Sequence, residues 1–326
     1  MKPPITQTFA VLEDYGFVRD EMRSGKMVKI SNENRKLRYR YNTYLYYMMA
    51  LDTSIRENAG ANDPVYGVLE KMAATPSFQR ISAGNRQRGL VGSLLRSSWS
   101  SEMAVYTALD HTDEDSAAIM LPWTYVQIYY CLHDLFEAVF LSLGCHSEQA
   151  VHHERFLKRY ADFVASRQIL PEPWSAILSG KACDCRGLTF DPKVKVNAQK
   201  WTNGCDSNER VYQLLSTTHK ERLAEKKSEV VQTTLMHFLY RLRCRTNYRD
   251  VDPYLFDLRN RSIRDEMTGG LRTILASSMA LGEGIVAASQ GIDTYCEEVG
   301  RMSSWIGKPN VLPLLGRRIA IKEIVG

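Results

Sequence analysis

The sequence predicts a mainly helical protein with a small N-terminal antiparallel β element, an α+β chain overall. Apolar residues within residues 121–144 recur at intervals of three and four, the period of a helix with one buried face. Further segments between residues 88 and 290 share this period. By contrast, residues 36–41 alternate strictly between cationic and apolar side chains, as a half-buried strand does. A helical bundle that follows a small β meander accounts for all three observations.

Residues 121–144 are predicted to form the central helix of this bundle. Pro122 has the fixed φ that suits a first turn, and Gly144 supplies a left-handed exit from the last turn. The apolar face consists of Tyr125, Ile128, Tyr129, Leu132, Phe136, Val139 and Leu143. The opposite face carries Tyr130, His133, Asp134 and Glu137. An apolar face and a polar face on one helix predict that it is buried on one side only.

The helical period predicts six further helices along the chain. In order, they cover residues 68–73, 89–109, 147–167, 208–245, 253–267 and 271–289. Ser147 has a side chain suited to cap the third of these, and the pair Gly269 and Gly270 is expected to end the fifth. Residues 171–207 are rich in glycine and proline and predict a loop insertion, with a short strand within residues 188–196.

The chain divides into four predicted parts. Residues 1–56 form the small β meander, although residues 44–51 fit either a further strand or the start of a helix. Residues 57–87 form a linker that contains the first short helix. Residues 88–290 form the helical domain with its insertion, and residues 291–326 form a C-terminal tail that could add a strand.

The composition and the N-terminal sequence predict where in the cell the protein is located. The 326-residue chain has a net charge of +5, which is too weak to indicate nucleic-acid binding by itself. Seven cysteines spread along the chain do not form the disulfide framework of a small secreted protein. The N-terminus lacks the apolar core of a secretory signal, and no apolar stretch is expected to reach the ~20 residues of a spanning helix. The predicted location is the cytoplasm, with no membrane association and no cofactor.

The predicted N-terminal strand has two interpretations. Arg38 and Arg40 lie beside tyrosines, so that cations could hold phosphates while bases stack on the rings. Cations on the exposed face of a strand also block edge pairing, which favours a solvated surface over a tyrosine-rich core.

Three local motifs, in a fixed order, resemble those of a known superfamily. Residues 129–136, followed by Leu143 and Gly144, are similar to its second helix. Residues 145–156, which include two adjacent histidines, are similar to the entry of its third helix, and residues 242–248 to the stretch before its last helix. The chain therefore resembles the HEPN superfamily, helical domains of bacterial toxin–antitoxin and defence systems. The resemblance implies a HEPN-like helical bundle at residues 88–290, an RNA or nucleotide as partner, and a homodimer.

The residues that ribonucleases of this family use for cleavage are only partly present. Those enzymes carry an arginine, usually a polar residue, and a histidine four to six positions later. No histidine of this chain has that spacing, and the nearest match is Arg259 and Asn260, with Arg264 where the histidine would be. Arginine stays protonated and is a poor base, so standard cleavage chemistry is predicted to be absent. The alternative is a ribonuclease in which His133 or His237 comes from elsewhere in space.

A cluster of cations precedes the last predicted helices. It consists of Arg241, Arg243, Arg245 and Arg249, with Tyr248 among them. Such a cluster could bind the phosphates of RNA or of a nucleotide while the tyrosine stacks on a base. Arginines are also favoured at a helix C-terminus by the macrodipole, and aspartates follow closely enough to pair with them. Both interpretations remain open.

One set of residues is suited to zinc. Thiolates and imidazoles are the ligands that zinc prefers, and the candidates are Cys183, Cys185, Cys205 and His219. The gap between the first two cysteines is shorter than usual, so idle thiols in a loop are favoured over a metal site.

These observations predict a HEPN-like protein that binds RNA or a nucleotide in a bacterial defence or toxin–antitoxin type of system, without standard HEPN cleavage chemistry. One alternative is an active HEPN-type ribonuclease. Another is a non-catalytic subunit for protein–protein interaction or immunity, whose basic surface meets an acidic protein partner.

Overall fold

The computed structural model describes residues 47–60, 63–84, 87–110, 114–145, 152–180, 207–225, 230–248, 261–306 and 313–326. These residues are mainly helical and include one small antiparallel sheet, which confirms the predicted class of a mainly helical fold with a small β element. The sheet pairs residues 177–180 with residues 231–234, whereas most of the predicted N-terminal meander lies outside the described residues. The helices are α1 (residues 47–59), α2 (Pro64–Ala73), α3 (Pro76–Gln79), α4 (Arg88–Asp110), α5 (Glu114–Ser142), α6 (His153–Arg167), α7 (Ser207–Glu225), α8 (Leu235–Tyr248), α9 (Arg261–Gln290), α10 (Ile292–Ile306) and α11 (Pro313–Val325). The strands are β1 (Ile177–Gly180) and β2 (Val231–Thr234).

Helix α5 is the predicted central helix, and it begins earlier than its sequence signals indicate. Pro122 lies inside the helix rather than in its first turn. The other end agrees with the prediction, because Gly144 has a φ of 78°. The Cys145 N–H donates to the Phe140 carbonyl at 2.8 Å, which closes the last turn around the glycine. The aromatic face of α5 therefore ends at a well-defined position.

The apolar face of α5 lies at the centre of the protein. Helices α4, α8 and α9 all pack against α5, and they bury Trp99, Phe136 and Phe238 almost completely. One apolar cluster extends from Tyr47 in α1 to Ile321 in α11. Segments that were predicted as a linker and a tail thus contribute side chains to the same core as the helical domain.

Helix α9 is continuous where two helices were predicted. Gly269 and Gly270 lie within it and do not end it. A Cβ on Gly270 would lie 3.2 Å from the Cβ and the carbonyl oxygen of Met48. The second glycine therefore allows α1 to approach α9 closely, and the prediction mistook a packing residue for a stop signal.

The long helix predicted at residues 208–245 is interrupted by a strand. β2 separates α7 from α8 and pairs with β1 in antiparallel register, Ile177 opposite Thr234 and Gly180 opposite Val231. Val231, Thr233 and Thr234 are buried β-branched residues. Such side chains favour a strand over a helix, and this local preference outweighs the helical period of the flanking residues.

Both ends of the described chain are more helical than predicted. Residues 47–59 form α1, so this part of the predicted meander is helical, with Leu51, Ile55 and Ala59 buried at intervals of four. The tail forms α10 and α11 and adds no strand among its described residues. In α11 the buried residues Arg317, Ala320 and Ile321 follow a helical period, which the partial alternation of the sequence obscured.

Some predictions fall outside the described residues. These are the meander at residues 1–46 with Arg38 and Arg40, and the strand at residues 188–196. Ser147 also lies outside them, and α6 begins only at His153, with His152 at the cap position. The predicted cap is therefore wrong for the helix that the structure describes.

Helix α9 includes an apolar stretch longer than the sequence was expected to contain. Among the described residues, Met267–Gln290 is long and apolar enough to cross a membrane. In its most apolar stretch of 18 residues, 83% is buried inside the protein. A core helix passes the same test of length and composition, so this feature does not identify a membrane protein.

Candidate functional site

Three helices bring histidines, tyrosines and an arginine together at a half-buried surface. α5 contributes Tyr129, Tyr130 and His133, α6 contributes His153, and α8 contributes Tyr240 and Arg243. We call these six residues the His–Tyr–Arg cluster. Residues three or four apart share a helix face, which explains why Tyr129 lies beside His133 and Tyr240 beside Arg243.

Arg243 is held within the cluster by aromatic rings. Its guanidinium carbon lies 4.8 Å from the ring centroid of Tyr130, 5.6 Å from that of Tyr129 and 5.5 Å from that of Tyr240. Its Nη2 donates to the Tyr130 hydroxyl at 2.6 Å. Its Nε is buried and has no hydrogen-bond partner among the described residues. The cation is thus fixed in place by three rings and one hydrogen bond.

His133 is oriented by its neighbour in sequence. Its Nδ1 lies 3.1 Å from an oxygen of Asp134, and the other Asp134 oxygen accepts from Ser97 Oγ at 2.6 Å. The ring also packs on Phe156, with centroids 4.4 Å apart. Because Nδ1 is engaged, the free nitrogen is Nε2, which is buried without a partner among the described residues.

His153 lies directly beside this ring at the start of α6. The two imidazole centroids are 5.5 Å apart, and His153 Nδ1 lies 3.1 Å from the Tyr129 hydroxyl. Burial lowers the pKa of His153 below its ordinary value, and the neighbouring Arg243 lowers it further. His153 is therefore neutral at pH 7, and its second nitrogen can either donate or accept a hydrogen bond, depending on the tautomer.

A compensated ion pair lies one turn farther along α5. Arg159 donates to Glu137 at 3.0 Å, and its guanidinium lies over the ring of Phe140. Burial raises the pKa of Glu137, and Arg159 opposes this effect. The pair places no uncompensated negative charge beside the cluster.

The cluster is open enough to meet a ligand. Tyr129 is fully buried, whereas the other five members are half-buried and reach the surface. A cation, two imidazoles and aromatic rings at one surface can bind phosphate oxygens and stack on a flat heterocycle.

The structure separates the arginines that the sequence grouped together. Arg241 points to Glu221, and its Nη2 donates to that carboxylate at 2.6 Å. Arg243 belongs to the His–Tyr–Arg cluster, and Arg245 is half-buried. The side chain of Tyr248 and all of Arg249 lie outside the described residues. Among the described members of the predicted cation cluster, Arg243 lies among three tyrosine rings.

The predicted catalytic residues are also placed apart. Arg259 and Asn260 lie outside the described residues, and so does the side chain of Arg264, which belongs to α9. His133 lies in the cluster. His237 is buried where β2 meets α8, and its Nδ1 accepts from the Thr234 N–H at 3.2 Å.

The zinc prediction rests on residues that are mostly not described. Cys183, Cys185 and Cys205 lie outside the described residues. His219 is buried, and its Nδ1 lies 2.9 Å from the Thr233 hydroxyl. Within the described part of the chain, no group of three or more histidine, cysteine or acidic residues is placed to bind a metal ion.

The sequence did not identify Tyr129, Tyr130, His153 or Tyr240 as site residues. His153 was expected on the polar face of a helix, and Tyr240 within the apolar part of another. One signal was available, because Tyr240 and Arg243 are three residues apart on a helix, and that spacing suits a cation and a ring. The contribution of His153 depends on tertiary packing that no local pattern predicts.

No protein-family model, no curated protein and no solved structure matches this chain.

Proposed function

We propose that this protein binds RNA or a nucleotide through the His–Tyr–Arg cluster, as a HEPN-like protein of a bacterial defence or toxin–antitoxin type of system. The observation that carries the proposal is Arg243, which is held by three tyrosine rings at a half-buried surface beside two histidines. A fixed guanidinium is suited to phosphate because its geometry matches two phosphate oxygens without further ordering.

The aromatic members supply the second half of the recognition. Tyr130 and Tyr240 are half-buried, and their ring centroids lie 4.8 and 5.5 Å from the guanidinium carbon of Arg243. Exposed tyrosine rings stack on unpaired bases, which is how many proteins recognise single-stranded RNA. Because Arg243 donates to the Tyr130 oxygen, the hydroxyl proton of Tyr130 is free to bond a phosphate or a base edge.

The resemblance to the HEPN superfamily supports the same site. Each of the three motifs that carry the resemblance contributes to the cluster: residues 129–136 provide Tyr129, Tyr130 and His133, residues 145–156 provide His153, and residues 242–248 provide Arg243. Motifs that are far apart in sequence thus meet in one place, which is the arrangement expected of a shared binding site.

RNA cleavage is a second candidate, and the adjacent imidazoles of His133 and His153 favour it. Attack by a ribose 2′-hydroxyl needs groups that exchange protons near neutral pH, and histidine is suited to this. Incubation of labelled RNA with the wild type and with His153→Gln tests the candidate. Cleavage that depends on His153 would establish it, and intact RNA that remains bound would reject it.

The binding proposal is tested by titrating labelled single-stranded RNA and measuring fluorescence anisotropy. Arg243→Gln is expected to weaken binding by about tenfold or more, because hydrogen bonds to charged groups contribute roughly 1.5–3 kcal/mol. Arg301→Gln is the control, since it removes the same charge from an exposed residue of α10. Equal affinities for the two variants would contradict the site, provided that both retain the circular dichroism of the wild type.

A further inference from the structure

A second polar cluster lies where α4, α9, α10 and α11 meet. It contains Glu102 and Trp99 of α4, Glu283 of α9, Tyr295 of α10 and Arg317 of α11. We call it the buried carboxylate cluster. The side chains of Arg317, Glu102 and Glu283 are 2%, 1% and 0% exposed, so water does not screen their charges.

The hydrogen bonds of this cluster are well defined. Arg317 donates to both oxygens of Glu102, at 2.6 and 2.8 Å, and also to Glu283 at 2.7 Å. Glu283 accepts two more bonds, from the Trp99 indole at 3.0 Å and from the Tyr295 hydroxyl. Three donors on one carboxylate suit its ionised form.

The charges do not balance if both carboxylates are ionised. Two glutamates then face one guanidinium, which leaves one surplus negative charge in a dry interior, where an uncompensated charge is costly. Among the described residues, the other titratable groups that act on this site are Tyr106 of α4, Cys131 of α5, Cys296 of α10 and, through Tyr106, Arg272 of α9. Burial raises the pKa values of Tyr106 and Cys131, so these two groups stay neutral. Arg272 is partly exposed and pairs with Asp110 instead.

Protonation of one of the two carboxylates removes the surplus negative charge. We propose that the Glu102–Glu283 pair binds one proton at neutral pH, and that release of this proton at alkaline pH loosens α11 from the bundle. Among the described residues, Glu283 accepts hydrogen bonds from three side chains, whereas Glu102 accepts from Arg317 alone, so we place the proton on Glu102. Consistent with this assignment, burial raises the pKa of the Glu102 carboxyl and neighbouring Glu283 adds to the rise, although Arg317 opposes it.

Helix α11 is the element that opening would displace. With 13 residues it is the shortest of the four helices around the cluster. It supplies Arg317, and it also packs against α2 and α9. Water that enters beside Arg317 would hydrate the surplus charge. The cluster thus couples the protonation of two carboxylates to the position of one helix.

Infrared spectroscopy tests the bound proton directly. The wild type at pH 7 is expected to show the carbonyl band of a buried protonated carboxylic acid, and Glu102→Gln is expected to lack it. Glu283→Gln is a second variant that is expected to lack the band. It removes the surplus negative charge, so the one remaining glutamate balances Arg317 without a proton. Glu297→Gln is the control, because this glutamate of α10 is 57% exposed. Absence of the band from the folded wild type would overturn the proposal.

Stability as a function of pH tests the consequence. A carboxyl whose pKa is raised in the folded state stabilises the protein below the unfolded pKa of about 4.3, and this stability is lost as pH rises towards the folded pKa. The ratio of the folding constants of wild type and Glu102→Gln is therefore expected to fall by up to tenfold per pH unit in this range. A ratio that stays constant from pH 6 to pH 9 would contradict a proton held at neutral pH.

Hydrogen exchange tests the role of α11. After correction for intrinsic exchange rates, the amides of α11 are expected to lose protection at pH 9 in the wild type but not in Glu102→Gln. Unchanged protection of α11, or an equal loss in all helices, would overturn the coupling to this helix.

Discussion

At the scale of single residues, the partner of a charged side chain decides whether that side chain can contribute to a binding site. Arg241 and Arg243 are two positions apart on α8, and such residues point to opposite sides of a helix. One pairs with Glu221 and the other lies among tyrosine rings. Helical geometry could have predicted this separation from the sequence. The ring partners Tyr129 and Tyr130 could not be predicted, because they are more than a hundred residues away.

Two histidines are expected to make the protein less stable in mild acid. Burial lowers the pKa values of His153 and His219, and Arg243 and Arg222, respectively, add to the effect. A base whose pKa is lowered by folding stabilises the protein above its unfolded pKa of about 6.5, and this contribution is lost as pH falls below that value.

The prediction is tested by thermal unfolding between about pH 7.5 and pH 5. The melting temperature of the wild type should fall as the pH is lowered, and His219→Gln should reduce the slope because one of the two titrating groups is gone. Parallel curves for wild type and variant would contradict a lowered pKa at His219.

At the scale of elements, close helix contacts depend on glycines whose role the sequence did not reveal. α9 packs on α5, and a Cβ on Gly282 would lie 2.5 Å from Leu135 Cγ and Cδ2. Leu135 is fully buried, so it cannot move aside. On the same helix, a Cβ on Gly269 would meet nothing within 4 Å. Two glycines in one helix therefore have opposite packing environments.

Alanine substitutions at these two positions should have opposite effects. Gly282→Ala overpacks the contact with Leu135, which costs about 1–3 kcal/mol and exceeds the gain in helix propensity. Gly269→Ala is expected to stabilise the protein by roughly 0.5–1 kcal/mol, since only the propensity changes. Denaturant unfolding measures both values. A Gly282→Ala protein as stable as Gly269→Ala would show that α5 and α9 are not packed as closely as described.

The same scale shows which elements could be predicted. The helices α4 and α5 have long amphipathic patterns and were predicted, with boundaries that differ mainly at the start of α5. β2 has only four residues, so its β-branched residues were absorbed into the pattern of the helices beside it. The paired glycines of α9 were ambiguous, because glycine serves both helix ends and close contacts.

At the scale of the whole molecule, one core includes parts that the sequence assigned to separate regions. Buried side chains of α1, α2 and α11 join the core of the predicted helical domain. Local periodicity identifies helices but does not show which of them share a core, so the division of the chain could not be tested by pattern alone. The same limit applies to the candidate site. The helical segments that carry the cluster were predicted, but the sequence did not show that they meet at one surface.

The assembly of the protein is a further expectation at this scale. We expect a homodimer, as the resemblance to the HEPN superfamily implies. Light scattering coupled to size exclusion should then give twice the chain mass of 37.2 kDa. A mass equal to one chain over a wide range of concentration would contradict the dimer, and it would leave the His–Tyr–Arg cluster intact because all its residues come from one chain.

The central claim is that the His–Tyr–Arg cluster binds RNA or a nucleotide, and photocrosslinking to RNA tests it most directly. RNA that contains 4-thiouridine would be bound to the protein, irradiated and digested, and the crosslinked peptides identified by mass spectrometry. Crosslinks are expected on the peptides that carry Tyr130, His153 and Tyr240, and they should diminish in Arg243→Gln. Reproducible crosslinks confined to other segments, with none in α5, α6 or α8, would contradict the claim.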